Sequence, residues 1–498
     1  MGWSRGRLWL VAGFLLPYAA FIVWFHAPYA AGSDASGYLH SARLLLEGRL
    51  TAPVRLPPGL PRDLVSNDAI TPLGFRVDAS GRNLVPTYPV GLPLHLAAVG
   101  WLTGLGPAST LIALLAALGF LSLLYGTSRE FGVSPGWSAA VALVGALSPL
   151  TLDFALQPMS DLVAATWVLA AIYGALRASR HLAWAAGAGA AFACAVLVRP
   201  TNLLLILPLA LALPTRPRAW LAFLAGGVPG ALFLAGYNYQ LYGHFIATGY
   251  GDVRSLFSLS YVPRSWWHYA KWIPVVATPL VLAVVLLPWC PLERRRKILL
   301  LLWAGVLLVF YSAYDPTHET WWYLRFILPG LPALGIGAAL VLQHWQASAW
   351  NLELRPVSPS PAPGRVLRVP GAALLLAGVL GWVFAWSHAL GVSKIETGTR
   401  AYPLTGQWVA EQLPANAVLL AYEVSGAVFY YSDRAWIVPN ALTAEEARRL
   451  DAWLAAEKRE LYAALYPSET AVLQERLPGK WEIVTRLRTT TIWRRISP

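Results

Sequence analysis

The chain has 498 residues, of which 57% are hydrophobic and only 13% charged, and its mean hydropathy is +0.51. Soluble domains carry about 25% charge, so this composition excludes one and marks an integral membrane protein. The net charge of +13 does not point to nucleic acid: the cations stand in short clusters between apolar runs, the placement that sets membrane topology.

The first apolar stretch, 8–25, follows Arg5 and Arg7 and ends at Trp24, Phe25 and His26 without a small-residue cleavage site, so it reads as a retained helix rather than a signal peptide. Further apolar stretches lie at 107–126, 136–153, 161–178, 182–198, 201–214, 219–238, 273–290, 297–313, 325–343 and 370–388. Most are near the roughly 20 residues that cross a ~30 Å hydrocarbon core. They predict a polytopic α-helical membrane protein of about eleven transmembrane helices. Arg177 with Arg180, Arg216 with Arg218, the run Arg294 to Lys297, and Arg365 with Arg368 all fall on one side if the N-terminus is cytoplasmic. An odd number of spans then puts the C-terminus outside.

This topology divides the chain into a transmembrane module 1–345 with a first outer loop 26–106, a cytoplasmic linker 346–369, a last transmembrane helix 370–392 and an extracytoplasmic domain 393–498. Pro356, Pro359, Pro361 and Pro363 crowd the linker. The long loops share the outer side, and long loops usually carry function, so function is expected there.

In the first loop the pattern becomes helical from Tyr38. Leu39, Ala42, Leu45 and Leu46 fall on one side, with Arg43, Glu47 and Arg49 away from it, as in a short amphipathic helix lying in the interface. Residues 75–85 read as a hairpin turning at Ser80 and Gly81, and 86–93 as a proline-stiffened return to the membrane. In the tail, 417–422, 435–438, 481–488 and 490–494 read as strands. Thr443 to about Leu477 reads as helix, opened by a capping box of Thr443 and Glu446. The tail is thus expected to be a small α/β domain.

Candidate chemistry collects at the outer ends of the spans. Asp34, just after Gly32 and Ser33, is a solvated loop acid, an N-cap for the helix that follows, or a catalytic carboxylate. Asp161 follows Ser160 at the start of a span; either residue caps that helix, or Asp161 faces the same cavity as Asp34, with Asp153 its competitor. Arg325 is a cation at the outer end of an apolar helix, suited to snorkelling or to clamping a phosphate. Arg254, Arg264 and Lys271 offer the same chemistry, and His268 beside Trp266 and Trp267 fits an interface belt. Arg199, before Pro200, is a phosphate contact or a cation paired by a nearby carboxylate. Asp315, His318 and Glu319 form a loose set for a metal. No cofactor is marked by the sequence, and a divalent metal stays open. Cys194 and Cys290 give no disulfide framework or zinc spacing. With no nucleotide-binding loop or serine elbow, energy for a reaction must arrive with the substrate.

Asp34, Tyr38, Ala42, Arg43, Glu47 and Gly48, placed just after the first span, resemble the first-loop signature of the GT-C superfamily of polytopic glycosyltransferases that use polyprenyl-phosphate sugars. The run from Tyr88 to Pro93 is similar to that superfamily's return into the second span. Ser160 and Asp161, Leu197 to Pro200, and Leu324 to Pro329 are similar to later landmarks. Within the superfamily, the chain looks like the group of family 39 protein O-mannosyltransferases, aminoarabinose lipid A transferases and Rgt-like bacterial transferases. Two departures stand out: Ala35 follows Asp34 where the mannosyltransferases have a second acid, and Val90 stands where a proline is usual.

The resemblance, which covers roughly 1–345, implies an inverting transferase at the outer face of the cytoplasmic membrane. Its donor would be a polyprenyl-phosphate sugar and its acceptor a hydroxyl on a lipid, glycan or protein. Asp34 would be the general base. Arg325 and Arg199 would bind the donor phosphate, Asp161 would orient the acceptor or a basic group, and Tyr38, Tyr88, His318 and Glu319 would position substrates. A transporter or flippase of a lipid-linked sugar, or a noncatalytic envelope-assembly protein, is the alternative; no internal repeat of the transporter kind is visible.

Overall fold

The computed structural model describes residues 5–353 and 368–497. Most of the linker expected at 346–369 therefore lies outside the described residues. The chain opens with α1 (Arg5–Phe25), α2 (Gly32–Leu46), the short strands β1 (Ala52–Pro53), β2 (Phe75–Val77) and β3 (Asn83–Pro86), then α3 (Gly91–Thr103). A helical bundle follows: α4 (Leu105–Glu130), α5 (Pro135–Leu147), α6 (Pro149–Ala155), α7 (Ser160–Arg177), α8 (Leu182–Val198), α9 (Ile206–Ala212), α10 (Pro217–Tyr242), α11 (Val262–Ala277), α12 (Arg294–Ser312), α13 (Leu331–Glu353) and α14 (Arg368–Ala389). A 3-10 helix, Pro279–Trp289, continues α11, and another, Trp321–Gly330, leads into α13.

The apolar stretches do become helices, but the count of eleven spans is not reproduced. Among the described residues, three helices are long and apolar enough to cross a membrane, Leu105–Glu130, Pro217–Tyr242 and Trp321–Ala347, or up to six if each sharply bent pair is one span. Proline and small residues are the reason. Pro149 forces Ser148 into an extended conformation, and α5 meets α6 at 54°. α11 turns through 110° into the 3-10 helix that begins at Pro279. Leu182–Val198 and Pro200–Ala212 are shorter apolar helices. The glycines of α8 and α10 serve contact rather than length: a Cβ on Gly189 would stand 1.9 Å from the Phe223 carbonyl oxygen, and one on Gly226 2.0 Å from that of Ala186. Such backbone-to-backbone packing is how helices associate where lipid supplies no hydrophobic drive.

The bundle has two chemically distinct ends. At one, Glu130 pairs with Arg180 at 2.7 Å and Arg177 at 3.7 Å, Arg295 donates to the Leu211 and Leu213 carbonyls, and Arg296 donates to Phe131. Among the described residues, the basic links at Arg177 and Arg180, Arg216 and Arg218, and Arg294 to Lys297 therefore share an end; the link expected at Arg365 lies outside the described residues. α7, 18 residues and about 27 Å long, runs from Asp161 at the opposite end to Arg177 at this one.

That opposite end carries α2, the first-loop sheet and the tail. β1 and β2 both pair antiparallel with β3, and the expected 75–85 hairpin is present. The tail comprises α15 (Ile395–Thr399), α16 (Ala401–Gln412), β4 (Ala417–Ala421), α17 (Ser425–Tyr431), α18 (Ala444–Ala456), β5 (Glu460–Leu465), α19 (Ala471–Arg476), β6 (Lys480–Leu487) and β7 (Thr490–Ser497). Its sheet runs β4-β5-β7-β6, with β4 and β5 parallel and the other pairs antiparallel. The capping box on α18 is present, but the long helix expected to Leu477 is interrupted by β5. Its Leu461, Ala463 and Leu465 are needed as the buried central strand. Residues 435–438 supply only a bridge, Ile437 to Leu420.

Loop and tail share a core. Leu44, Phe75 and Leu84 pack with Val428, Phe429 and the wholly buried Trp436, while Leu64, Val65 and Ile70 pack against Leu420, Leu450 and Leu461. Polar ties reinforce this: Val438 donates to the Ala69 carbonyl at 2.7 Å, and Ser66 to the Glu446 carboxylate at 2.7 Å. The expected surface helix is accordingly corrected. α2 begins at Gly32, six residues earlier than its pattern suggests, and Ala35 to Ala42 are buried between α3 and α17.

Candidate functional site

Asp34 lies in the first turn of α2, where unsatisfied amides and the helix dipole favour a carboxylate. Ala31, not Asp34, is the N-cap. The 3-10 helix Trp321–Gly330 brings Arg325 to it, and an Arg325 Nη donates to Asp34 Oδ2 at 2.6 Å. Both side chains are about one-fifth exposed (20% and 18%), so the pair stands at the edge of solvent rather than in a sealed core. Burial pushes the Asp34 carboxyl upward, but Arg325, the Tyr88 hydroxyl and the more distant Arg199 outweigh it and hold the group below the ordinary carboxylate value.

A second pair sits beside the first. Arg199 follows α8 and precedes Pro200, which fixes it in an extended conformation (φ −144°, ψ 106°) and turns its side chain off the helix axis. One Nη donates to Asp161 Oδ1 at 2.7 Å and to the Arg325 carbonyl at 3.1 Å. Asp161, in the first turn of α7, is only 1% exposed; the Arg199 side chain is 15% exposed. Met159 is the N-cap of α7, so neither Ser160 nor Asp161 has the capping role the sequence allowed. Both guanidinium groups lie near the Phe326 ring, at 5.4 Å for Arg199 and 5.3 Å for Arg325. Arg325 Nε is buried without a hydrogen-bond partner, so a donor is left over for an anion.

Tyrosines surround the carboxylates. Tyr38, one helical turn after Asp34, donates to Ser160 Oγ at 2.8 Å, and Tyr88 donates to Ser33 Oγ at 2.7 Å. The Tyr38 and Tyr88 rings are 5.1 Å apart, and Tyr250 meets Tyr88 edge-on at 5.8 Å. Burial and the Asp34 charge raise the pKa values of all three phenols, keeping them protonated donors. Close backbone contact sets the spacing: a Cβ on Gly37 would stand 2.5 Å from Tyr88 Cδ2 and 3.1 Å from Gly74 Cα.

Of the residues singled out from the sequence, Asp34, Asp161, Arg199, Arg325, Tyr38 and Tyr88 converge. His318 and Glu319 stand one layer out: His318 stacks on Tyr261 at 5.8 Å, and Glu319 lies beside Tyr323, whose ring is 5.5 Å from the Arg325 guanidinium. Asp153 is engaged by Gln157 at 3.1 Å. Among the described residues, no three His, Cys, Asp or Glu side chains gather as a metal-holding group, so Asp315, His318 and Glu319 do not make one. Arg254 is 94% exposed and near Asp252 at 3.9 Å, and Lys271 packs on Trp272 at 4.8 Å; neither contacts the two pairs. Tyr250, Tyr311 and Phe326 are missing from the sequence reading. Tyr311 stacks on Phe326 at 5.0 Å and donates to Thr201 at 2.7 Å. Only their density among neighbouring aromatics hints at them in sequence.

No protein-family model matches the chain, and no curated protein matches it by sequence. Solved structures do. The structure of ArnT from Cupriavidus metallidurans bound to undecaprenyl phosphate is 15% identical, with a TM-score of 0.55 over 97% of this chain and 98% of that one. The Archaeoglobus fulgidus oligosaccharyltransferase AglB, in complex with an inhibitory peptide and a dolichol-phosphate, is 12% identical, with a TM-score of 0.56 over 95% of this chain and 71% of that one. At such identities the likeness is one of fold: this chain shares the fold of these membrane glycosyl- and oligosaccharyltransferase structures along its described length.

Proposed function

We propose that this protein is an inverting glycosyltransferase of the cytoplasmic membrane that moves a sugar from a polyprenyl-phosphate donor to an acceptor hydroxyl at the outer face. The observation that carries this reading is the pairing of Asp34 with Arg325 beside the Asp161 and Arg199 pair. An acid held ionised beside two cations suited to a phosphate, at one end of the helical bundle, is what such a reaction requires. The solved relatives, one with undecaprenyl phosphate and one with a dolichol-phosphate, support a donor of that class. Within the superfamily, the aminoarabinose lipid A transferase and family 39 mannosyltransferase group remains the proposed affiliation. The N-terminus and basic links would be cytoplasmic, with the tail outside.

In this mechanism, Asp34 accepts the proton of the acceptor hydroxyl as its oxygen attacks the anomeric carbon. The bond from that carbon to the donor phosphate oxygen breaks, and polyprenyl phosphate leaves with the electron pair. A single displacement inverts the anomeric centre. The phosphate leaving group needs no proton but needs charge stabilisation, which Arg325 and Arg199 supply. Arg325 serves both partners in turn. As phosphate draws its guanidinium, Asp34 loses the contact that holds its pKa down and becomes a stronger base. Asp161 is too buried to meet a substrate and acts through Arg199. Tyr38 and Tyr88 hold the α2 end in register, and His318 and Glu319 back the loop that carries Arg325.

The test is to follow label leaving a panel of polyprenyl-phosphate sugars in the presence of envelope extract, for the wild type and Asp34→Asn. Transfer by the wild type that is lost in a folded variant supports the reading. Saturable donor binding without transfer by either protein would favour the transporter instead.

A further inference from the structure

A polar cavity of about 600 Å³ lies on the side of α2 away from Asp34. Arg43 follows Asp34 by nine residues, about 14 Å along the helix and half a turn away from it in azimuth, so the two side chains leave α2 on opposite faces. Arg43 and Arg55 enter the cavity from the first loop, Tyr430 and Tyr431 from the end of α17, and Gln407 from α16. Pro28, just after α1, and Gly106, in the first turn of α4, place its floor where two bundle helices end.

The two arginines are fixed before any ligand arrives. Arg43 lies flat on Tyr430, 3.7 Å from the ring centre, and donates to the Tyr430 carbonyl at 2.6 Å. Arg55 stacks on Phe429 at 4.6 Å and donates to the Phe429 and Ser432 carbonyls at 3.3 and 2.5 Å. These contacts satisfy the C-terminal carbonyls of α17, which is a structural role. They leave most of the five N–H donors of Arg43 uncommitted. The one carboxylate on the wall, Asp433, is fully exposed and only 3.6 Å from Arg55, so the lining carries net positive charge. Preformed, ring-stacked guanidinium groups are the usual means of holding a phosphate.

We infer that this cavity is an anion site, separate from the Asp34 site, that takes the phosphate-bearing headgroup of a molecule at the membrane surface. It does not depend on the transferase reading, because binding is measured without turnover. The full-length protein would be placed in phosphatidylcholine nanodiscs. One arm titrates glucose 6-phosphate, with glucose as control; the other replaces part of the phosphatidylcholine with phosphatidylglycerol and measures retained lipid by mass spectrometry.

Saturable binding in the first arm identifies a soluble sugar phosphate as sufficient, and selective retention in the second identifies a lipid headgroup; either supports the site. Arg43→Gln should weaken binding about tenfold, the usual loss for one charge-assisted hydrogen bond. Two variants leave both arginine contacts to the end of α17 in place. Gln407→Trp, at an exposed position, should block the cavity, and Asp433→Asn should tighten binding severalfold by removing the competing charge. Absence of binding in both arms, or binding indifferent to Gln407→Trp and Asp433→Asn, would overturn the inference.

Discussion

The Asp161 and Arg199 pair makes a quantitative prediction. The carboxylate is 1% exposed and the guanidinium side chain 15%, so solvent screens the 2.7 Å contact little. Breaking a buried pair by removing one partner typically costs about 3–5 kcal/mol, because the survivor keeps its desolvation penalty. Asp161→Asn should fall at the low end, about 3 kcal/mol, since the amide oxygen still accepts from Arg199 and Arg199 keeps the Arg325 carbonyl at 3.1 Å. Arg199→Gln should cost more, because it strands the carboxylate in α7. The double variant should be milder than the sum by about 2 kcal/mol, within the range for residues that share one interaction. The assay is reversible unfolding in mixed micelles on titration with dodecyl sulfate, read by the fluorescence of the 24 tryptophans. Additivity within about 0.5 kcal/mol would refute the claim that the pair is one energetic unit, and with it the assignment of Asp161 as a positioning residue.

Removing Arg325 should alter the pH dependence. Asp34 is held below the ordinary carboxylate value, so it stays ionised through that range, and kcat/KM should fall only at still lower pH. In Arg325→Gln the acid limb should move upward, as well as the rate being lower throughout; an unmoved limb would contradict the pairing. Gly37→Ala should cost about 1–3 kcal/mol, as overpacking does, and should depress transfer disproportionately, because the new Cβ would displace Tyr88; the check is transfer against stability for the same protein. Glu423 accepts from Tyr402 at 2.8 Å, and burial raises its carboxyl above the ordinary range. Its contribution is most favourable at low pH and declines as pH rises through the folded value, so Glu423→Gln should gain stability relative to wild type as pH rises from the ordinary carboxylate range toward neutral. Equal unfolding midpoints of variant and wild type across that range would count against it.

Much of the site is visible in sequence because its members sit at recognisable places. Asp34 follows the first span, Asp161 opens another, and Arg199 and Arg325 are cations where apolar helices end. Their pairing is not visible, since Asp34 and Arg325 are 291 positions apart and nothing local encodes the contact. The start of α2 escapes for a related reason. Gly32, Ser33 and Gly37 are poor helix formers, yet Gly37 is required where Gly74 and Tyr88 come close, and tertiary packing overrides propensity. The sequence of β5, Glu460 to Leu465, suits a helix equally well until β4 and β7 are present to flank it. Span counting errs where prolines break a long apolar run into short helices, which hydropathy averages over. Local pattern is therefore reliable for the β2–β3 hairpin and the Thr443 capping box, whose causes lie within a few residues.

The most direct measurement of the central claim is single-turnover transfer from a labelled polyprenyl-phosphate sugar by purified wild type and Asp34→Asn, with folding checked by unfolding midpoint. If Asp34 is the base, the variant should bind donor and lose roughly 10²–10⁴-fold in the transfer rate. Transfer at the wild-type rate by a folded Asp34→Asn protein would contradict it.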